Sequence, residues 1–402
     1  LKGYLGVTTF TNDPKSPLIE DSFILVDDGQ ILEIGEVERA SLPEGAEIRE
    51  FPNCVAFPQL TNSYVDLSAP LECWMGVSFR SHPTLETYKN VILEGRKYWK
   101  DRDDEVVDIL KKAVEDCLSL GIGKASFALP WLDDARVFTV PDRVEMFPIP
   151  ITVGPVVMSE EVEEEMLKAV VEAGQILFVV LDETFYKKHG LFAQYEPHGI
   201  FRYVIVDFSF LENAFMKAEG RKGVEVFSEA GVFTKNSVIV HGWGLTDIEL
   251  DVLAVKNVPV VKTPRFELLV HGGTLSLNEY VGRGMQVNLG TGPFRPNLFK
   301  EIEVALLFHQ ASLRSAPPMR ILLELLAKLV FSEGGAIHMG NIPSKRLMRG
   351  FDASFVVAKS NRKIKTLEDF ALFLMEEFDE QALQLVLSEG KELLMRSDVN
   401  HS

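Results

Sequence analysis

The sequence predicts an α/β protein: a (β/α)8 TIM-like barrel plus a small β-sandwich domain formed by both chain termini. Three observations lead there. Between residues 57 and 345, eight apolar, strand-like runs alternate with helical patterns. Residues 1–56 and 346–402 instead carry short alternating segments joined by tight turns, so the barrel reads as inserted into a composite terminal domain. Finally, 402 residues with 46% hydrophobic content suffice for a barrel core and an appendage.

The elements follow in order. "GYLGVTTF", "SFILVDDGQILEIG" and "AEIREFPN" read as a small antiparallel unit, with Asp28-Gly29 as a hairpin turn. From Pro58 the pattern changes. Barrel strands are expected near 60–67, 123–129, 148–157, 176–182, 202–208, 237–242, 258–263 and 285–291. The spacing predicts a helix near 102–120, and another in "SEEVEEEMLKAVVEAG" with Ser159 as N-cap and Gly174 as stop. Helices follow the last strand, including "MRILLELLAKLVF". "GFDASFVVAK" and "LQLVLSEGKELLM" then return to strands, with a turn near Ser388-Glu389-Gly390.

Charge and cysteine content narrow the function classes. A formal net charge of −18 disfavours nucleic acid and anionic membranes as partners. No apolar run reaches the roughly 18 residues of a membrane span, and "LKGYLGVTTF" lacks the order of a signal peptide. Cys54, Cys73 and Cys117 form no CxxC pair and read as buried free thiols of a reducing compartment. The expectation is a cytoplasmic protein whose partner is a small-molecule ligand or substrate, with homo-oligomerisation left open.

Chemistry in such barrels sits at the C-terminal strand ends. Those ends offer Tyr64 and Asp66 on the first strand, Asp182 and Glu183 on the fourth, and Asp207 on the fifth. The sixth offers His241 with Trp243 beyond it, and the eighth Thr291 and Gly292. The i, i+2 spacing of Tyr64 and Asp66 puts both on one face of their strand.

Several stretches together resemble the amidohydrolase superfamily, in particular its chlorohydrolase and deaminase branch. "ILVDDGQILEIGEVE" is similar to that family's N-terminal hairpin, and "FPQLTNSYVDL" sits where the family has P-G-x-x-N-x-H-x-H-L. "VIVHGWGLTD", "PR" and "LGT" parallel its sixth-to-eighth-strand block, and "GFDASFVV" its late strand. The resemblance implies a metal site built from a first-strand His pair, a fifth-strand His, a sixth-strand His and an eighth-strand Asp. Carried over, these fall on Tyr64 and Asp66, Asp207, His241 and Gly292, so one residue of five is retained. Glycine can neither hold a metal nor take a proton from metal-bound water.

The function expected from the resemblance is hydrolysis of non-peptide C–N bonds, as by a deaminase or amidase on a small cyclic substrate. Asp66, Asp207 and His241 are the candidate catalytic residues; Tyr64, Glu183, Trp243 and Gly292 are the candidate substrate pocket. No cofactor is expected; zinc or iron would fall to Asp66, Asp207 and His241 if the remodelled site still binds one. The alternative is a catalytically inactive relative that binds a small molecule or serves in assembly. His241 reads as a structural histidine before a relic ligand, and Asp66 and Asp207 as ordinary polar residues at a barrel mouth before an acidic ligand pair. Asp182-Glu183 is either a replacement base or a solvated strand end. His271, His309 and His338 read as surface, and "GGTLSL" and "LGTGPF" as turns rather than phosphate cradles.

Overall fold

The computed structural model describes residues 1–78, 85–130, 147–182, 184–185, 190–208, 215–217, 220–271, 277–312, 329, 331, 345–396 and 400–401. The expected helix over "MRILLELLAKLVF", except Leu329 and Phe331, lies outside the described residues, as do Glu183 and His338.

In chain order the strands are β1 Lys2–Phe10, β2 Leu18–Asp27, β3 Gln30–Glu36 and β4 Glu47–Pro58, then β5 Leu60–Asp66, β6 Ile122–Pro130, β7 Ile151–Met158 and β8 Leu177–Leu181. They continue with β9 Arg202–Asp207, β10 Ser237–Trp243, β11 Val260–Lys262 and β12 Val287–Leu289, and end with β13 Phe355–Lys359, β14 Leu383–Ser388, β15 Lys391–Met395 and β16 Asn400–His401. β5 to β12 form one parallel sheet in sequential order, and a bridge between Val65 and Gly292 closes it into a barrel. All eight strands fall where their apolar runs place them.

Alternation along these strands divides the core in two. Phe178, Val180, Tyr203, Ile205 and Val240 face the barrel interior with Tyr64. Leu177, Val179, Leu181, Val204 and Ile239 face the helical shell. Because both faces are buried, a strand such as "LFVVL" is apolar throughout.

The terminal strands form one sheet in the order β15-β14-β13-β4-β1-β2-β3, with β16 also on β4. It curls on itself: Glu392 of β15 takes a hydrogen bond from Lys2 Nζ of β1 at 2.8 Å, although three strands separate β15 from β1 in sheet order. Tyr4, Ile24, Val357 and Leu385 lie in the core so enclosed. The unit is not purely antiparallel as expected, since β1 runs parallel to β4. The Asp28-Gly29 turn forms as read, with φ of 44° and 79°, the left-handed pair a tight hairpin needs.

Three helices were absent from the sequence reading: Leu71–Ser78, Leu85–Trp99 and Leu367–Glu376. The helix expected near 102–120 spans Asp103–Ser119. Ser159 does not cap a helix; its hydroxyl bonds Val180 O at 3.0 Å and receives Asp182 N at 2.9 Å, and the helix begins later, at Glu164–Glu172. Gly174, at φ 62°, ends it as expected. His309, expected at the surface, is fully buried in the helix Leu298–Ser312. His271 ends the helix Pro264–His271.

The composite terminal unit has a direct test. β13 pairs with β4 from Phe355↔Pro58 to Lys359↔Cys54, and Phe370 of the last helix stacks on Phe10 with centroids 4.3 Å apart. Removing residues 346–402 strips both from the sheet, leaving an unpaired edge and bare aromatic rings. The expected product is insoluble; recovery of a soluble variant with a cooperative unfolding transition would contradict this division of the chain.

Candidate active site

The strand ends converge as barrel geometry requires, but the chemistry they assemble is not a ring of imidazoles. Tyr64 and Asp66 share the inner face of β5, and the Tyr64 hydroxyl reaches Asp66 Oδ2 at 2.7 Å. Tyr88, from the unforeseen helix Leu85–Trp99, donates to the same oxygen at 2.9 Å and lies 2.9 Å from the Tyr64 hydroxyl. Ser68 serves the other oxygen through its N–H at 2.9 Å and its hydroxyl at 2.5 Å. Asp66 is 2% exposed and thus accepts four hydrogen bonds with almost no water contact.

Burial pushes the Asp66 carboxyl up from its ordinary range, against the pull of Ser68, Tyr64 and Tyr88. Burial and the nearby Asp66 likewise raise both tyrosines far above the usual phenol range.

His241 stands beside this cluster. Its ring stacks on Trp243 at 4.4 Å and 9°, tilts against Phe266 at 5.0 Å, and meets Tyr64 edge-on at 5.8 Å. Its Nδ1 lies 2.6 Å from Thr263 Oγ1. The backbone here is left-handed, with φ of 68° at His241 and 71° at Gly242. A non-glycine residue in that region costs about 1–3 kcal/mol, and such strain concentrates at functional sites.

The remaining sequence candidates are placed as follows. Asp207 ends β9 directly beside Trp243 in the strand pairing and is partly exposed. Asp182 is not a solvated end: Lys89 Nζ pairs with it at 2.5 Å, and Thr184 N donates at 2.9 Å. Burial raises its carboxyl, but Lys89 and Thr184 outweigh that and hold it below the usual range. Gly292, at φ 57°, sits against the seam; a Cβ there would meet Phe266 Cβ at 3.7 Å, ordinary contact distance. Trp74, Tyr88, Thr263 and Phe266 went unread. The stripe Leu85, Tyr88, Val91, Ile92, Gly95, Trp99 is a helical signal that would have found Tyr88.

Zinc or iron, which the fold implies, does not suit this donor set. Among the described residues no three His, Cys, Asp or Glu side chains converge to hold a metal. Both oxygens of Asp66 are occupied by donors, one of them the Tyr64 phenol at a position where the family has a histidine. Gly292 brings no carboxylate.

The raised Asp66 pKa fixes a pH dependence. The native state holds this proton more tightly than the unfolded chain, whose carboxyl titrates near ~3.9. Its stabilising contribution is therefore complete below that value and falls as pH climbs from there through the raised native value. Relative to Asp66→Asn, the parent should lose stability with rising pH, as read from urea midpoints. A gap that widens in the parent's favour would show that the four donors outweigh burial.

No protein-family model matches the chain. Its sequence is 21% identical over 403 aligned positions to a 5-methylthioadenosine/S-adenosylhomocysteine deaminase of Bacillus cereus, covering 90% of this chain and 86% of that protein. A protein of the same name from Thermococcus sibiricus is 35% identical over 96 residues, 23% of this chain. Among solved structures, the zinc complex of atrazine chlorohydrolase TrzN from Arthrobacter aurescens superimposes with a TM-score of 0.77 over 98% of this chain and 95% of its own, at 16% identity. Guanine deaminase from C. acetobutylicum also gives 0.77, over 98% of this chain and all of its own, at 16% identity. The chain thus shares the fold of these two structures, and its similarity over nearly its whole length to a deaminase supports the resemblance to the chlorohydrolase and deaminase branch of the amidohydrolase superfamily.

Proposed function

We propose that this protein is a hydrolase of the deaminase and chlorohydrolase kind, acting on a small, planar, nitrogen-containing ring at the barrel mouth without a metal-bound water. One observation carries the reading: a buried carboxyl, an imidazole and an aromatic wall meet at the strand ends, beside an indole N–H with no partner. That donor is Trp74 Nε1, buried in a ring 4.7 Å from Tyr88 and 5.3 Å from Phe266. A buried donor left unpaired among the described residues calls for an acceptor, which a ring nitrogen or carbonyl of a ligand at this mouth would supply.

In this reading His241 takes the proton from the attacking water. Asp66, with Tyr64 and Tyr88 on its Oδ2, is the proton source for the departing group, and Asp207 receives an exocyclic amino group beside Trp243. Tyr64, Trp243 and Gly292 line the ring. Zinc and iron have no role in these steps.

A second reading rests on a different observation. Asp66, Tyr64 and His241 are 2%, 0% and 0% exposed, beneath the helices Leu71–Ser78 and Leu85–Trp99. A mouth so filled fits a relative that binds a ring without hydrolysing it.

One experiment separates the two. The purified protein, stripped with chelator, is offered a panel of amino- and chloro-substituted purines, pyrimidines and triazines, and ammonia and chloride release are followed with thermal stability. Turnover that survives chelation and falls ~10²–10⁴-fold in His241→Asn supports the hydrolase. Saturable stabilisation without release supports the binding protein. A full, chelator-resistant equivalent of zinc or iron by elemental analysis would overturn the metal-free route.

A further inference from the structure

The fold surrounds His241 with a closed circuit that the proposed chemistry does not itself require. Lys262, at the end of β11, is 2% exposed, and its ammonium donates to the His241 carbonyl at 2.5 Å. The same ammonium pairs with Glu267 Oε2 at 2.5 Å. The other oxygen of Glu267 accepts the Thr263 N–H at 2.9 Å, and the Thr263 hydroxyl meets His241 Nδ1 at 2.6 Å. The path runs from the His241 backbone through a lysine, a glutamate and a threonine to the ring of the same residue.

Its cost marks it as more than packing. An ion pair sealed inside a protein is commonly no better for stability than apolar residues of the same volume. Burial would lower the Lys262 pKa, but the Glu267 carboxylate more than offsets that and keeps the ammonium charged. What the pair does here is geometric. It grips the carbonyl of a residue held at φ 68°, where the strand pairing of β10 breaks register between Val240 and Trp243. It also fixes the threonine that addresses the ring. A Thr263 hydroxyl that accepts from Nδ1 leaves the ring's lone pair on Nε2, the tautomer a base acting through Nε2 needs.

We propose that Lys262 and Glu267, acting through Thr263, are positioning residues that hold His241 in its left-handed backbone and in the single ring tautomer with the proton on Nδ1. This rests on His241 being the base of the proposed hydrolase, but the circuit is read without turnover. The full chain is labelled with 15N-histidine, and the His241 ring is assigned by loss of its signals in His241→Asn. At neutral pH the parent should show one neutral tautomer, protonated at Nδ1. Removing Lys262 alone strands a buried carboxylate, so the variant measured is Lys262→Met/Glu267→Leu, which keeps volume and cancels charge. It should show His241 averaging between tautomers while the other assigned histidines keep their shifts, and Glu267→Gln should lie between. Thr263→Val, which deletes only the ring contact, should give the same averaging with the ion pair intact.

A folded double variant with native His241 shifts would overturn the proposal, as would a parent ring protonated on Nε2 or on both nitrogens. Any turnover found should then fall in the double variant through kcat with KM little changed. Native tautomer control in a protein that turns over nothing would leave the circuit standing and the hydrolase reading overturned.

Discussion

The barrel and its mouth depend on one seam. Between β5 and the segment after β12, the Tyr64 carbonyl receives Thr291 N at 2.9 Å and Gly292 N at 3.0 Å, and Asp66 N donates to Gly292 O at 2.8 Å. Asn62 reinforces it from the side chain, donating to Thr291 Oγ1 at 2.9 Å and accepting Thr291 N at 3.2 Å. The approach is so close that a Cβ on Gly290 would lie 2.7 Å from Tyr64 Cβ and backbone oxygen, so only glycine fits. Closure removes the sheet's open edges, as in other barrels. It also fixes the site, because Tyr64 and Asp66 are seam residues whose backbones are pinned before their side chains meet anything.

From that seam the cover follows. Asp66 gathers Tyr88 and with it the helix Leu85–Trp99, whose Gly95 lies where a Cβ would come within 2.4 Å of Ser68 O. Lys89 ties the same helix to Asp182 on the far side of the mouth, and Arg96 Nη2 binds Glu161 Oε2 at 2.7 Å. The helix is held at three points by polar contacts and settles on an aromatic underside. Burial of the mouth and hydrogen bonding of its carboxylate are thus one structural event.

The fold was legible because its signal is repeated and local. Eight apolar runs buried on both faces can hardly be anything but interior strands, and Asp28-Gly29 and Gly174 name their own backbone conformations. The candidate site's placement was legible only where strand periodicity reaches: Tyr64 and Asp66 on one face, His241 and Asp207 at strand ends. Tyr88 stands 22 residues from the carboxylate it serves, on a helix whose stripe was present but unread. Lys262 and Glu267 are five positions apart across a strand-to-helix turn, a spacing that carries no periodic signal and becomes a pair only once the turn has folded. His309 looked like surface because a lone histidine in an amphipathic-looking segment does not announce which face it takes.

The substituted positions also explain one another. In a metal site, several buried carboxylates and imidazoles are tolerated because a divalent cation sits among them. A side chain at 292 would start against Phe266 and Thr263, beside the seam where Asp66 N bonds Gly292 O. Glycine there adds no carboxylate to the seam, and a phenol at 64 donates to Asp66 where a neutral imidazole facing a metal would offer a lone pair. Tyr64→His alone would therefore take a donor from Asp66 while position 292 still brought no carboxylate.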